Sequence, residues 1–198
     1  MINDTLWPTA WLNPPKQLEA LDGGGYRITT HADTDFFNDP TGKHMKQNGH
    51  FWYKEVRGDF IARACIRPQF LHVWDAGCVM VRKDADTWAK LCYEQTDFGL
   101  TAIVSVVTKG VSDDANGVLT DAGAVHLQMV RQGNVFAMHY APDGVHWQMV
   151  RIFSLDVAQD EAIQVGINSQ CPGGEGTAID VLSFEIIAGS VGNMRAGV

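Results

Sequence analysis

A tryptophan, an ammonium and a carboxylate recur at alternate positions in the stretch Trp88-Ala89-Lys90-Leu91-Cys92-Tyr93-Glu94. Successive side chains of an extended chain point to opposite faces. Trp88, Lys90, Cys92 and Glu94 therefore share one face, and Ala89, Leu91 and Tyr93 form an ordinary core face. The first face has two readings. It is a solvated face held by cross-strand ion pairs, or it is a polar, aromatic binding face. In the second reading Trp88 stacks on a ring, Lys90 donates and Glu94 accepts.

Other chemistries have less to work with. Glycoside hydrolysis needs two carboxyl groups, about 5 Å apart for retention and more for inversion. Glu94 is a candidate for one of them. Cys92 and Thr96 occupy the positions two residues away, and Asp75 meets Glu94 only if strands bring them together. The seven histidines are scattered, with no H-x-H or H-E-x-x-H spacing, so no zinc site is expected. Asp113, Asp114 and Asn116 offer oxygens that suit Ca²⁺ or simply a solvated turn. No G-x-S-x-G and no phosphate-cradling glycine loop occurs. The expectation is no metal and no cofactor.

The elements around these residues read as strands. Ala76–Asp113 divides into three runs separated by Lys83–Thr87 and Gln95–Gly99, an antiparallel meander. In Gly58–Pro68, Phe60, Ala62, Ala64 and Ile66 share one face, while Arg63 and Arg67 on the other repeat the polar pattern. Gln132-Gly133-Asn134 and Pro142-Asp143-Gly144 are hairpin turns. In the latter, Asp143 is expected to bond the turn backbone, Gly144 to take positive φ and Trp147 to cover the hairpin. Leu155–Glu161 suits one helical turn. Residues 31–49 and 112–123 read as long polar loops. Residues 1–25 form an extended segment whose Trp7 and Trp11 clamp onto the sheet, and 189–198 form a tail. About ten to thirteen strands with Gly, Asp and Asn turns indicate one all-β domain of two packed antiparallel sheets over residues 1–198.

Composition narrows the classes of partner. A net charge of −8 in 198 residues argues against nucleic acid and against anionic membranes. No apolar run is long enough to span a bilayer, and the N-terminus lacks a secretory pattern. Cys65, Cys78, Cys92 and Cys171 form no C-x-x-C pair and read as free buried thiols of a cytoplasmic protein.

Several segments in order resemble the DUF1349 family: AGCVMVRKDADTWAKLCYE (76–94), SVVTKGVSD (105–113), Arg131-Gln132-Gly133, YAPDGVHWQMVRIF (140–153) and VGINSQCPGGEG (165–176). The resemblance covers about residues 35–188. It implies a concanavalin A-like jelly-roll sandwich. Trp88, Lys90, Glu94, Ser112 and Asp113 match the family pattern, and the chain departs from it at Lys109, Asp114 and Gln170-Cys171.

Three functions follow. The leading one is a non-catalytic, lectin-like module binding a saccharide or small polar ligand on a concave sheet. Its site would comprise Trp88, Lys90, Glu94 and Arg63, with His50 and Trp52 at the rim, Asp75, Ser112 and Asp113 nearby, and walls from 31–49 and 112–123. The second is a carbohydrate-active enzyme using Glu94. The third is a regulatory protein–protein interaction domain, with a homo-oligomer among its forms.

Overall fold

A computed structural model describes residues 7–198. Two seven-stranded antiparallel sheets pack face to face. The strands are β1 (Ala10–Leu12), β2 (Gln17–Ala20), β3 (Tyr26–Thr29), β4 (Phe36–Asn38), β5 (Met45–Gln47), β6 (His50–Val56), β7 (Phe60–Pro68) and β8 (Ala76–Arg82). There follow β9 (Thr87–Gln95), β10 (Thr101–Lys109), β11 (Val111–Leu119), β12 (Val125–Gln132), β13 (Val135–Ala141), β14 (Gln148–Ser154), β15 (Ile163–Gln170) and β16 (Ala178–Ala188). The front sheet runs β1-β6-β15-β8-β9-β10-β11, and the back sheet runs β14-β13-β12-β7-β16-β3-β2. This is an all-β, two-sheet sandwich of jelly-roll type. Among the described residues no helix is long and apolar enough to cross a membrane.

Strand parity decides which side chains meet. Ala89, Leu91 and Tyr93 of β9 face the back sheet and pack with Phe60, Ala62, Ala64 and Ile66 of β7. The even-numbered residues Trp88 and Cys92 join a second apolar cluster on the outside of the front sheet, with Cys78, Met80, Val104 and Val106. The central front strands are thus buried on both faces, which is why β8 and β10 read as near-continuous apolar runs.

The cover over this outer face is a hairpin, β4–β5, in place of the polar loop expected over residues 31–49. Phe36 inserts into the second cluster, edge-on to Trp88 at 6.0 Å between centroids. Asn38 pins the hairpin: its backbone N–H donates to Ser112 Oγ (2.9 Å), and its Nδ2 donates to the Gly110 carbonyl (2.9 Å). Gly49 lets it close, since a Cβ there would lie 2.7 Å from the Phe36 ring and 2.8 Å from Asn168 Oδ1.

Other expectations are corrected or met. Residues 111–119 are not a loop but the edge strand β11, paired with β10. Leu155–Glu161 forms no helical turn; Leu155 and Val157 plug the sandwich instead. Trp7 and Trp11 do clamp the sheet, stacked on Trp52 at 5.6 and 5.4 Å. In the β13–β14 turn Asp143 Oδ1 accepts from the N–H groups of Val145 and His146, and Gly144 has φ 72°. The tail docks on the back sheet: Gly197 O accepts from Gln128 Nε2 (3.1 Å), and Met194 O lies 2.8 Å from His139 Nε2.

Candidate functional site

Between the β4–β5 hairpin and the outer face of the front sheet lies a hollow of about 340 Å³. Its lining includes Asp35, Lys90, Glu94, Asp114, Gln170 and Trp74. The sheet register builds it. Met80, Lys90, Val106 and Asp114 form one row across β8, β9, β10 and β11. Glu94 sits two same-face positions further on, past Cys92, between Ala76 and Ala102. Those two small neighbours leave room above the strand.

Lys90 is the centre. Its Nζ lies 3.0 Å from Asp35 Oδ1 and 2.8 Å from Gln170 Oε1. It also sits 5.9 Å from the centroid of the Trp88 ring, within reach of a cation–π contact. Burial alone would lower its pKa. Burial is opposed first by the Asp35 charge, and the net result is a pKa above the ordinary lysine value. The ammonium therefore stays charged throughout the physiological range.

Glu94 is the odd partner. It is 8% exposed, and no hydrogen bond from another described residue reaches its carboxylate. Burial pushes its pKa well above the usual range; Lys90 opposes this, and Asp114 and Asp35 add to it. Asp114, at the open rim, is also raised, by desolvation first, with Lys90 opposing and Asp35 adding. One buried cation thus faces three carboxyl groups, two of which are held toward their neutral forms.

The aromatic wall is Trp74, which the sequence reading missed. It is 46% exposed and has φ 67°, a left-handed conformation that costs a bulky residue free energy. The turn that imposes it is built by Asp75. Asp75 Oδ2 accepts from the N–H groups of Leu71 (3.0 Å) and His72 (2.9 Å). The Trp74 N–H donates to Gln95 O at 2.6 Å, beside Glu94. Local sequence offered one clue, an Asp closing a short turn after two large apolar residues.

The structure brings only Lys90 and Glu94 of the expected site residues into the hollow. Trp88 has the expected parity but is 0% exposed. Its Nε1 donates to Ala85 O (3.2 Å), and Phe36 covers it. Trp52 lies on the opposite face of its strand, in the inter-sheet core with Trp7, Trp11 and Tyr26. His50 is buried between backbones: its Nδ1 lies 2.8 Å from Asn13 O, and its Nε2 accepts from His31 N–H at 3.0 Å. That pattern requires a neutral ring, consistent with burial lowering its pKa. Arg63 belongs to the back sheet, on the far side of the sandwich, where it donates to Gln128 and covers Trp147. Ser112 is consumed in pinning the hairpin and lies 2.8 Å from Thr108 Oγ1. Asp113 points away from Asp114 and lies 3.4 Å from Arg151. Asp75 shapes the Trp74 turn.

All four cysteines are free and buried. Cys78 and Cys92 oppose each other across β8 and β9 with sulfurs 2.8 Å apart. Cys171 sits beside His72 and Asp75, and burial followed by Asp75 pushes its thiol up to about 12.

Known proteins of similar sequence and shape match this architecture. A yeast protein (Saccharomyces cerevisiae) named "Regulation of enolase protein 1" is 28% identical over 151 residues, 76% of this chain and 75% of its own. A solved yeast structure described as a functionally unknown protein superposes with a TM-score of 0.84 at 24% identity, covering 92% of this chain and 97% of that one. The carbohydrate-binding module CBM66 from Bacillus subtilis has the same fold at a TM-score of 0.57 and 13% identity, covering 95% and 99%. The GH43 protein BlXynB from Bacillus licheniformis reaches 0.66 at 17% identity, matching 84% of this chain but 33% of its own. A family model described as "Protein of unknown function (DUF1349)" matches residues 11–188, and the chain belongs to that family.

Proposed function

We propose that the hollow on the front sheet binds a saccharide or a similarly small polar ligand, without catalysing its conversion, in a cytoplasmic protein. The observation that carries this reading is the combination of a half-exposed, strained Trp74 with Lys90, Glu94, Asp35 and Gln170 around one cavity. A flat aromatic face suits the C–H face of a sugar ring, and the polar groups suit its hydroxyls. The volume falls at the small end of ligand pockets, matching one or two rings rather than a long chain. Four free thiols are consistent with a reducing compartment. CBM66, of the same fold, is by its title a carbohydrate-binding module.

The test is a glycan array followed by calorimetric titration of any hit with wild type and Trp74→Ala. Binding weakened about tenfold or more by the substitution, an aromatic contact's worth plus its area, supports the reading. An array with no saccharide retained, or binding indifferent to Trp74, removes it.

One observation favours a second reading, glycoside hydrolysis. Glu94 is kept toward its protonated form, as a general acid must be, with Asp35 and Asp114 lining the same hollow. Turnover of an aryl glycoside that disappears in Glu94→Gln would establish it; equal turnover in that variant would end it.

A further inference from the structure

We propose that His72, Asp75 and Cys171 form a zinc-binding site behind the wall of the hollow. One ligand atom from each lies within 4.8 Å of the others. His72 Nδ1 is 3.6 Å from Asp75 Oδ2 and 3.8 Å from Cys171 Sγ. The edges of a tetrahedron around zinc, with bonds of about 2.0–2.3 Å, are about 3.3–3.8 Å long. Both measured edges, the carboxylate one taken at Asp75 Oδ2, fall at or within those lengths.

A second observation points to a missing partner. Asp75 is fully buried. Its Oδ2 is held by two backbone N–H groups, yet Oδ1 has no hydrogen-bond partner among the described residues. A buried oxygen left unpaired is costly, and a cation satisfies it directly.

Burial and Asp75 hold the Cys171 thiol protonated, so a metal must displace its proton to bind. Gly174 is required by the packing, since a Cβ there would come within 2.1 Å of the His72 ring. One sulfur, one imidazole nitrogen and one carboxylate oxygen make a donor set for zinc rather than for Ca²⁺ or Mg²⁺. On binding, the Cys171 S–H bond breaks, its proton passes to solvent, and a Zn–S bond forms. Three protein ligands leave a fourth position for water. His72, 34% exposed at its side chain, gives the ion a way in. His72 and Cys171 are 99 residues apart, so no spacing motif announces them. The ion would tie residues 71–75, which carry Trp74, to the 171–176 loop, which carries Pro172.

The test uses the full chain stripped with a chelator, then titrated with ZnCl₂ by calorimetry and with Co²⁺ by absorbance, with no saccharide present. Expected are one equivalent of zinc and a thiolate-to-cobalt charge-transfer band. That band should vanish in Cys171→Ser, and zinc affinity should fall about tenfold or more in His72→Ala. His72 is at the surface, so the latter variant should keep the fold, which circular dichroism checks. No saturable zinc binding by wild type overturns the proposal. So does binding unchanged in both variants, which would place the ion elsewhere, for example at Cys78 and Cys92.

Discussion

Both outer faces of the sandwich carry buried polar groups, but they are finished differently. On the back sheet such groups, among the described residues, have their partners. Asp180 accepts from Arg27 at both oxygens (2.6 and 2.9 Å) and from Arg67 twice at Oδ2 (3.2 and 2.8 Å). Gln128 links Arg63, His139 and the tail. On the front sheet Lys90 is paired, but Glu94 is not, and an open cavity adjoins both. A satisfied network rigidifies a fold. An unsatisfied one beside a hollow is where a guest has something to gain. The alternation Arg63, Arg67 and the alternation Lys90, Glu94 look alike in sequence, and only their completeness separates them.

That contrast can be broken most severely at Lys90. Lys90→Ala strips Asp35 and Glu94 of their buried cation, and breaking such a pair costs about 3–5 kcal/mol. Urea unfolding at neutral pH measures it; a loss under about 1 kcal/mol would show that the front-face network is dispensable.

Asp180→Asn should cost less, about 1–3 kcal/mol, because Arg27 and Arg67 are half exposed and rehydrate. The pH dependence has a definite sign. Burial raises the Asp180 pKa, but Arg27 and Arg67 win and hold it below its ordinary value. Its stabilisation is therefore present above the unfolded-state pKa of about 4 and is lost as pH falls through the depressed folded value. Wild type should lose this increment on acidification and Asp180→Asn should not. Matching acid limbs would contradict it.

Glu94→Gln should move stability the other way. The folded pKa of Glu94 is raised, so the native state binds more protons between the unfolded value, about 4.3, and the raised one. Stability then falls as pH rises through that window. The variant should gain about 1–2 kcal/mol at neutral pH and lose the slope; an unaltered pH–stability curve would mean that Glu94 ionises freely.

Trp74→Gly separates function from stability. Relief of the positive φ, about 1 kcal/mol, should offset the lost contacts and leave the thermal midpoint within a few degrees, while ligand binding drops. A steep fall in the midpoint would recast Trp74 as a structural residue. The smallest effect is expected from Arg63→Ala, with about 1 kcal/mol of stability lost and ligand affinity unchanged. Any change in affinity would mean that the two faces communicate.

Much of the sandwich was legible in the chain. The meander, the Asp143-Gly144 hairpin and the inward set Phe60, Ala62, Ala64, Ile66 follow from period-two alternation and turn chemistry, which are local. The front-face parity of Lys90 and Glu94 was legible for the same reason. What failed was cover. Nothing local says that Phe36 caps Trp88, that Trp52 faces inward onto Trp7 and Trp11, or that residues 112–119 pair as an edge strand.

The sequence by itself therefore determined the strand periodicity, the apolar faces and the family, because each is written in neighbouring residues. Tertiary structure alone decided which polar face stays open, which indole reaches solvent, and that His72, Asp75 and Cys171 meet. Those outcomes depend on contacts between residues far apart along the chain, set by sheet register and by how a hairpin closes over a strand.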